Sequence, residues 1–211
     1  MARIFVGCEV SQTVVRAFRA RGHEAFSCDI SPTDGNPDWH FQTDLFNAID
    51  DSYDLYIFHP PCTYLSNSGV CHLWITPYKD APKKILNSER WIQMVDGAHF
   101  FKRILDLPYT KICIENPIPH GYAIEKIGQK YTQIIHPWMF GHMEQKATCL
   151  WLKGLPKLVE TDNVKEQMLA LPKKERERLH YLSPGPNRAK ERAKTYDGIG
   201  QAMAMQWGPL L

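Results

Sequence analysis

Short apolar runs alternate with helical and turn signals through the first third of the chain, the pattern that builds a parallel sheet covered on both faces. Residues 3–6 (Arg-Ile-Phe-Val) predict a first strand. Residues 12–21 predict a helix, with Val14, Val15 and Phe18 near helical spacing, Ser11 placed as its N-cap and Gly22 as a left-handed stop. Residues 25–28 predict a second strand that ends at Asp29, and Asp44 closes a third. Residues 53–58 (Tyr-Asp-Leu-Tyr-Ile-Phe) read as a buried strand stopped by Pro60 and Pro61, which lack the N–H that a ladder needs.

Residues 63–87, with Gly69, Pro77 and Pro82, read as a long loop before a helix over 88–105. Residues 110–114, 133–136 and 148–152 predict further strands, giving about seven in a mostly parallel, Rossmann-like α/β sheet with helices on both faces. After Leu158 the pattern weakens, and residues 196–208 predict a last helix that packs back on the core. The expected organisation is therefore a catalytic core over 1–158, a basic recognition or linker segment over 159–195, and a closing helix within 196–211.

Composition narrows the class. With 44% hydrophobic and 23% charged residues and a net charge of +2, disorder is not expected, and no apolar run approaches the roughly 18–20 residues of a membrane span. Met1-Ala2-Arg3 runs straight into the first strand without a signal-peptide pattern, so a cytoplasmic protein is expected. Six scattered cysteines, several in strand-like runs, read as reduced thiols. The small net charge does not announce nucleic acid, but between Lys173 and Lys194 eight Lys/Arg face three Glu. That run is either a solvated helix face followed by a Pro184-Gly185-Pro186 loop or an arm that grips phosphates.

Three places can carry chemistry. His59-Pro60-Pro61-Cys62 ends the buried strand, and two prolines hold the thiol rigidly at the carboxyl edge of the sheet, where open α/β folds bind ligands. A thiolate there suits attack on an electron-poor ring carbon; a buried structural cysteine is the plainer alternative. Ile112-Cys113-Ile114-Glu115-Asn116-Pro117 brings a carboxyl to the same edge, where apolar neighbours disfavour its charged form and let it share a proton with a ring nitrogen; a turn or helix cap is the alternative. Gly7, between the first strand and helix, lets a cofactor approach the backbone. Asp29 is placed to take both hydroxyls of a ribose, or else to form a turn before Ser31-Pro32. Asp44 can accept from an adenine amine, or cap the helix that Leu45-Phe46 begins.

Taken in order, Phe5-x-Gly7, Asp29, Asp44, Pro60-Pro61-Cys62 and Glu115-Asn116-Pro117 resemble the motifs of the cytosine-C5 DNA methyltransferases that use S-adenosyl-L-methionine. Gly7-Cys8-Glu9, Arg21-Gly22-His23-Glu24-Ala25, residues 146–156 and residues 202–208 are similar to small phage and prophage methylases of that superfamily, so the resemblance covers almost the whole chain. It implies that Cys62 attacks C6 of a cytosine flipped out of DNA while Glu115 serves N3 and the exocyclic amine, after which C5 takes the methyl group and elimination frees the thiolate. The loop over 63–87 resembles the one that closes on the flipped base. The same resemblance assigns the cofactor to Phe5, Gly7, Cys8, Glu9, Asp29, Ile30, Asp44 and Pro60. It assigns the substrate to Pro61, Ser66, Asn116, Pro117 and Thr148, with Arg188 and Arg192 on the nucleic-acid backbone.

This chain departs from the pattern at three points. Glu9 stands where the family has a second glycine, and is placed to touch the methionine ammonium group. Lys146, ahead of Thr148, stands in for an arginine that contacts the base, and is counted with Cys62 and Glu115 as catalytic. Residues 153–195 are too few for a large target-recognition domain, so sequence selectivity should be low, short or supplied otherwise.

Other readings remain open. The same chemistry on RNA, single-stranded DNA or a free cytosine nucleotide follows from the missing recognition domain. An amino-group methyltransferase also carries Pro-Pro, but with Asp, Asn or Ser before it and an aromatic after it, where this chain has His59 and Cys62. A zinc-containing nucleic-acid module would draw on His59, Cys62, Cys71 and His72, whose spacing is irregular; no metal site is assigned. Nothing in the sequence calls for a membrane or an obligatory protein partner.

Overall fold

Seven strands form one sheet at the centre of the protein in a computed structural model that describes residues 1–79, 82–185 and 188–211. In chain order the strands are β1 (Arg3–Gly7), β2 (Glu24–Asp29), β3 (His40–Gln42), β4 (Leu55–Phe58), β5 (Trp74–Ile75), β6 (Ile85–Leu86), β7 (Ile112–Pro117), β8 (Gln133–Ile135) and β9 (Thr148–Lys153). The central sheet runs β3-β2-β1-β4-β7-β9-β8, and β5–β6 is a separate antiparallel pair. All neighbours from β3 to β7 are parallel, whereas β9 lies antiparallel between β7 and β8. The fold is thus α/β and Rossmann-like. Its strand order reverses between β1 and β4, where doubly wound sheets open a crevice at the strands' carboxyl ends.

Period-two alternation sorts the strand side chains onto two cores. Ile4, Val6, Leu55, Ile57, Cys113 and Leu150 face one side, under α1 (Thr13–Arg19) and α9 (Asp197–Trp207). Phe5, Tyr56, Phe58, Ile112, Ile114 and Trp151 face the other, under α3 (Ser88–Leu105) and α4 (Gly121–Ile127), with Leu45 of the single-turn α2 (Leu45–Ala48). The described residues of 159–195 hold four short helices, α5 (Lys165–Ala170), α6 (Lys173–Arg176), α7 (Arg178–Tyr181) and α8 (Arg188–Ala193). Helix α9 is part of the core, burying Ile199, Met203 and Trp207. No helix among the described residues is long and apolar enough to cross a membrane, and all six cysteines are free thiols.

Several elements differ from the sequence expectation. Helix α1 is shorter than residues 12–21, and Ser11 is not its cap; Gln12 holds that position at φ 54° without a side-chain bond. The Glu9 carboxylate does the work instead, with Oε1 accepting from the Val14 N–H at 2.9 Å and from the Ser11 hydroxyl at 3.2 Å. Gly22 does supply the left-handed stop, at φ 81°. The stretch over 63–87 is not a structureless loop, since a 3-10 helix (Asn67–Leu73) and the β5–β6 pair lie within it. Part of that stretch (Asp80, Ala81) and the end of the Pro-Gly-Pro loop (Pro186, with Asn187) lie outside the described residues.

Candidate active site at the carboxyl edge of the sheet

The candidate nucleophile is held by the way β4 stops. One backbone bond beyond the strand, from the His59 N–H to the Gly7 carbonyl at 3.0 Å, keeps the chain beside β1. Pro60 and Pro61 then fix φ and end the ladder. The Asn116 side-chain amide donates to the Pro60 carbonyl at 2.8 Å, tying this turn to β7. Beyond it the Cys62 carbonyl accepts from the N–H groups of Leu65 (3.1 Å) and Ser66 (3.0 Å), and Ser66 bridges to Pro119. Cys62 therefore sits on a short, braced turn, half-buried.

Strand β7 outruns β4. Its parallel pairing to β4 ends at Ile114, and Glu115, Asn116 and Pro117 continue only against Leu150, Cys149 and Thr148 of β9. This overhang carries Glu115 past the edge of β4 and next to His59, whose Nδ1 lies 3.0 Å from Glu115 Oε2; the two side chains are 7% and 12% exposed. Burial pushes the Glu115 carboxyl up, but the hydrogen bond and charge of His59, joined by Lys146, outweigh it and hold the group below the usual carboxylate range. Apolar burial does disfavour its charge, as expected, but an imidazole 56 residues earlier outweighs that effect. Burial likewise pushes His59 down, yet bonding to Glu115 and the charges of Glu115 and Glu9 hold it above its ordinary value against Lys146. Both shifts favour the imidazolium–carboxylate form of the pair.

Cys62 shares this electrostatic neighbourhood. Burial first, then the Glu115 charge, raise its thiol above the ordinary value, while Lys146 and Arg192 pull it down. Lys146 comes from the connection between β8 and β9, donates to the Arg192 carbonyl at 3.0 Å and lies 5.8 Å from the Tyr196 ring centroid. Around it, Glu144 binds Arg178 (3.0 Å) and the Tyr196 hydroxyl (2.8 Å), so the basic segment is fastened to this corner of the sheet.

Beside His59 lies a cavity of about 140 Å³ lined by Cys8, Glu9, Ser11, Lys190 and Thr195 among others. Two buried polar atoms at it have no hydrogen-bond partner among the described residues, Glu9 Oε2 and His59 Nε2. Unpaired buried polar groups are uncommon and call for an explanation. The loop that presents Glu9 is itself strained, with Cys8 at φ 60° and Gln12 at φ 54°, outside the usual range for side-chain-bearing residues.

The remaining expected residues divide. Phe5 is a core residue: its ring is fully buried, 5.2 Å from the Tyr53 centroid, and presents no surface to a ligand. The reason for Gly7 also changes, because a Cβ there would meet Leu45 Cδ1 at 2.5 Å and Phe58 Cδ1 at 2.6 Å, so it is internal packing that requires glycine. Asp29 ends β2 with Oδ1 accepting from the Ser31 N–H at 2.8 Å, and Ile30 beside it is 75% exposed. Asp44 caps α2, accepting from the Phe46 N–H at 2.9 Å. Pro60 is buried, Pro61 exposed, and Thr148 buried opposite Pro117. Arg188 and Arg192 both lie on α8, half-buried.

Sequence reasoning quoted His59 and Glu9 without seeing their pairing roles; a histidine directly ahead of the prolines was the available signal. Cys71 and His72 are exposed, and no group of three His, Cys, Asp or Glu among the described residues could hold a metal ion.

No protein-family model matches the chain, and no curated protein matches it in sequence. Among solved structures, the chain aligns with an E. coli prophage-encoded protein described as a candidate DNA modification methyltransferase, at 13% identity and a TM-score of 0.42. The alignment covers 82% of this chain and 56% of that one, so this chain spans a little over half of its length.

Proposed function

We propose that the protein methylates C5 of cytosine in DNA, using S-adenosyl-L-methionine, through a covalent adduct on Cys62. The observation that carries the reading is that Cys62, just beyond β4, and Glu115, 53 residues later on the overhang of the adjoining β7, lie at the same carboxyl edge of an α/β sheet, near enough for the Glu115 charge to raise the thiol. An unactivated aromatic carbon cannot attack a methyl donor until a nucleophile has added beside it. A target base must also leave its stack to reach such a site.

The residues present fit the donor. Glu9 Oε2, buried and unpaired at the cavity, suits a cationic ammonium group, which would meet the missing hydrogen bond. Asp29 would take ribose hydroxyls, exposed Ile30 would pack on a purine face, Asp44 would accept from its amine, and Cys8 and Pro60 would line the site. When bound, the donor supplies a methyl group on a positively charged sulfur.

The protein's own groups do the rest. Cys62 Sγ adds to C6 of the ring after losing its proton, aided by the positive charges of Lys146 and Arg192. Glu115 serves N3 and the exocyclic amine, making C5 the nucleophile. Asn116 keeps the Cys62 turn in register through Pro60. After transfer, solvent water takes the C5 proton, the C5–H electron pair becomes the C5–C6 double bond, and the C6–S bond breaks to release the thiolate. Pro61, Ser66, Pro117 and Thr148 would border the base, and the α8 cations Arg188 and Arg192 would grip phosphate oxygens.

Incubation with the donor and an oligonucleotide carrying 5-fluorocytosine tests the reading, since fluorine at C5 blocks elimination. A stable complex that maps to Cys62 by peptide mass, absent in Cys62→Ala, is the expected result. Undiminished methyl transfer by Cys62→Ala would overturn it. Only short helices lie among the described residues of 159–195, which makes duplex, single strand, RNA and dCMP the arms of that experiment.

A further inference from the structure

We propose that His59 is a positioning residue that stores the proton Glu115 delivers to the target base, and that Glu9 holds it in that role from the cofactor side. This rests on the cytosine reading above.

Three elements bring the groups together: Glu115 is bonded to His59, and Glu9 and His59 line one cavity. Glu115 on β7 meets Nδ1 at 3.0 Å, while the opposite nitrogen, Nε2, is buried without a partner at the cavity that also contains the unpaired Glu9 Oε2. The ring cannot swing away easily, because its backbone is bonded to Gly7 and followed by two prolines whose turn Asn116 clamps. Its charged surroundings are Glu115, Glu9 from the β1–α1 loop and Lys146 from the β8–β9 connection. Asp34, Lys190, Glu191 and Lys194 line the same cavity, and Lys190 is itself paired with Asp34.

This arrangement answers a difficulty in the chemistry. Glu115 Oε2 lies 3.0 Å from His59 Nδ1, a contact that favours the carboxylate, and a carboxylate has no proton to donate, yet N3 must gain one as the sulfur adds to C6. His59 supplies it: the Nδ1–H bond breaks, Glu115 takes the proton and passes it to N3, and the imidazolium becomes neutral imidazole. The carboxylate ends as it began, and no electrons pass to or from the protein. When the thiolate leaves, the proton returns from N3 through Glu115 to Nδ1. Glu9, a second carboxylate at the same cavity, favours the imidazolium through its charge before the base arrives.

The test has two readouts on the full-length protein. Titration of the His59 ring nitrogens by NMR reads the coupling without any turnover: the midpoint should lie above 6.5 and fall in both Glu9→Gln and Glu115→Gln. A midpoint at or below 6.5 in the unaltered protein, or no response to either substitution, overturns the proposal. The second readout is adduct formation by His59→Asn, whose amide N–H can replace Nδ1–H as a hydrogen-bond donor but holds no releasable proton. With folding verified by its thermal transition, it should be slower by about 100-fold, the usual scale of general acid–base catalysis, with the donor's KM within about twofold. It should also lose the fall in rate expected of the unaltered protein as pH rises through the His59 midpoint. Near-normal rates in His59→Asn would mean that the ring only positions Glu115, and would overturn proton storage. Should the unaltered protein form no adduct with cytosine, the functional reading fails, whereas the NMR titration still decides the coupling.

Discussion

The Asn116 side-chain amide donates to the carbonyl of Pro60 at 2.8 Å, so the overhanging tip of β7 holds the turn that presents Cys62. Both groups are buried, and a buried carbonyl left without its donor costs about 1–3 kcal/mol. Asn116→Ala should therefore lower unfolding stability by about that amount in urea titration. Its turnover number should fall more than its donor affinity, because Asn116 itself is not among the residues that line the Glu9 cavity.

Cys62 should react slowly with iodoacetamide at neutral pH, with a rate still climbing past pH 9, because burial and the Glu115 charge raise its thiol above the ordinary value of 9.0. The two neighbouring charges give opposite signs. Glu115→Gln removes a negative charge and should speed alkylation at pH 8 by about three- to tenfold, whereas Lys146→Met removes a positive one and should slow it by a similar factor. Mass spectrometry of the Cys62 peptide across pH measures both.

Asp29→Ala should weaken S-adenosyl-L-methionine binding by about 10- to 100-fold in calorimetric titration, the usual range for hydrogen bonds to a charged group. Cys62→Ala should leave that binding nearly intact. A loss in Cys62→Ala matching that in Asp29→Ala would count against a donor site spread along β1 and β2.

Gly7→Ala should destabilise the protein by about 1–3 kcal/mol, because the added methyl meets Leu45 and Phe58 side chains inside a packed core. The midpoint of urea unfolding reads the loss. Donor affinity measured well below that midpoint should change little, as expected of a residue retained for packing.

The central strands were legible because parallel strands buried on both faces are short, continuous apolar runs, as in residues 55–58 and 112–114. Helix α3 was legible as the long segment over 88–105 that follows the loop, whereas its cap, the Asn87 side chain, was not. Helix α4 was not: it spans seven residues, and its cap is the His120 side chain, which accepts from the Ala123 N–H at 3.1 Å, a residue type outside the usual capping set. The two-residue strands β5 and β6 are too short for any period to register. At the site, Cys62 and Glu115 were legible as residues ending buried strands. The ionisation of Glu115 was not, because it depends on His59, a neighbour that only the pairing of β4 with β7 supplies. The packing role of Gly7 was hidden in the same way, since Leu45 and Phe58 reach it from distant parts of the chain.

Helix α1 buries Val14, Val15 and Phe18 in the same core as Ile199, Met203 and Trp207 of α9, the last helix of the chain. During synthesis the first partner leaves the ribosome nearly two hundred residues before the second. Until α9 arrives, a nascent chain carries an uncovered apolar stripe that chaperones can occupy. Contacts so distant in sequence slow the final collapse, so translation stalled before residue 197 would leave a sticky intermediate.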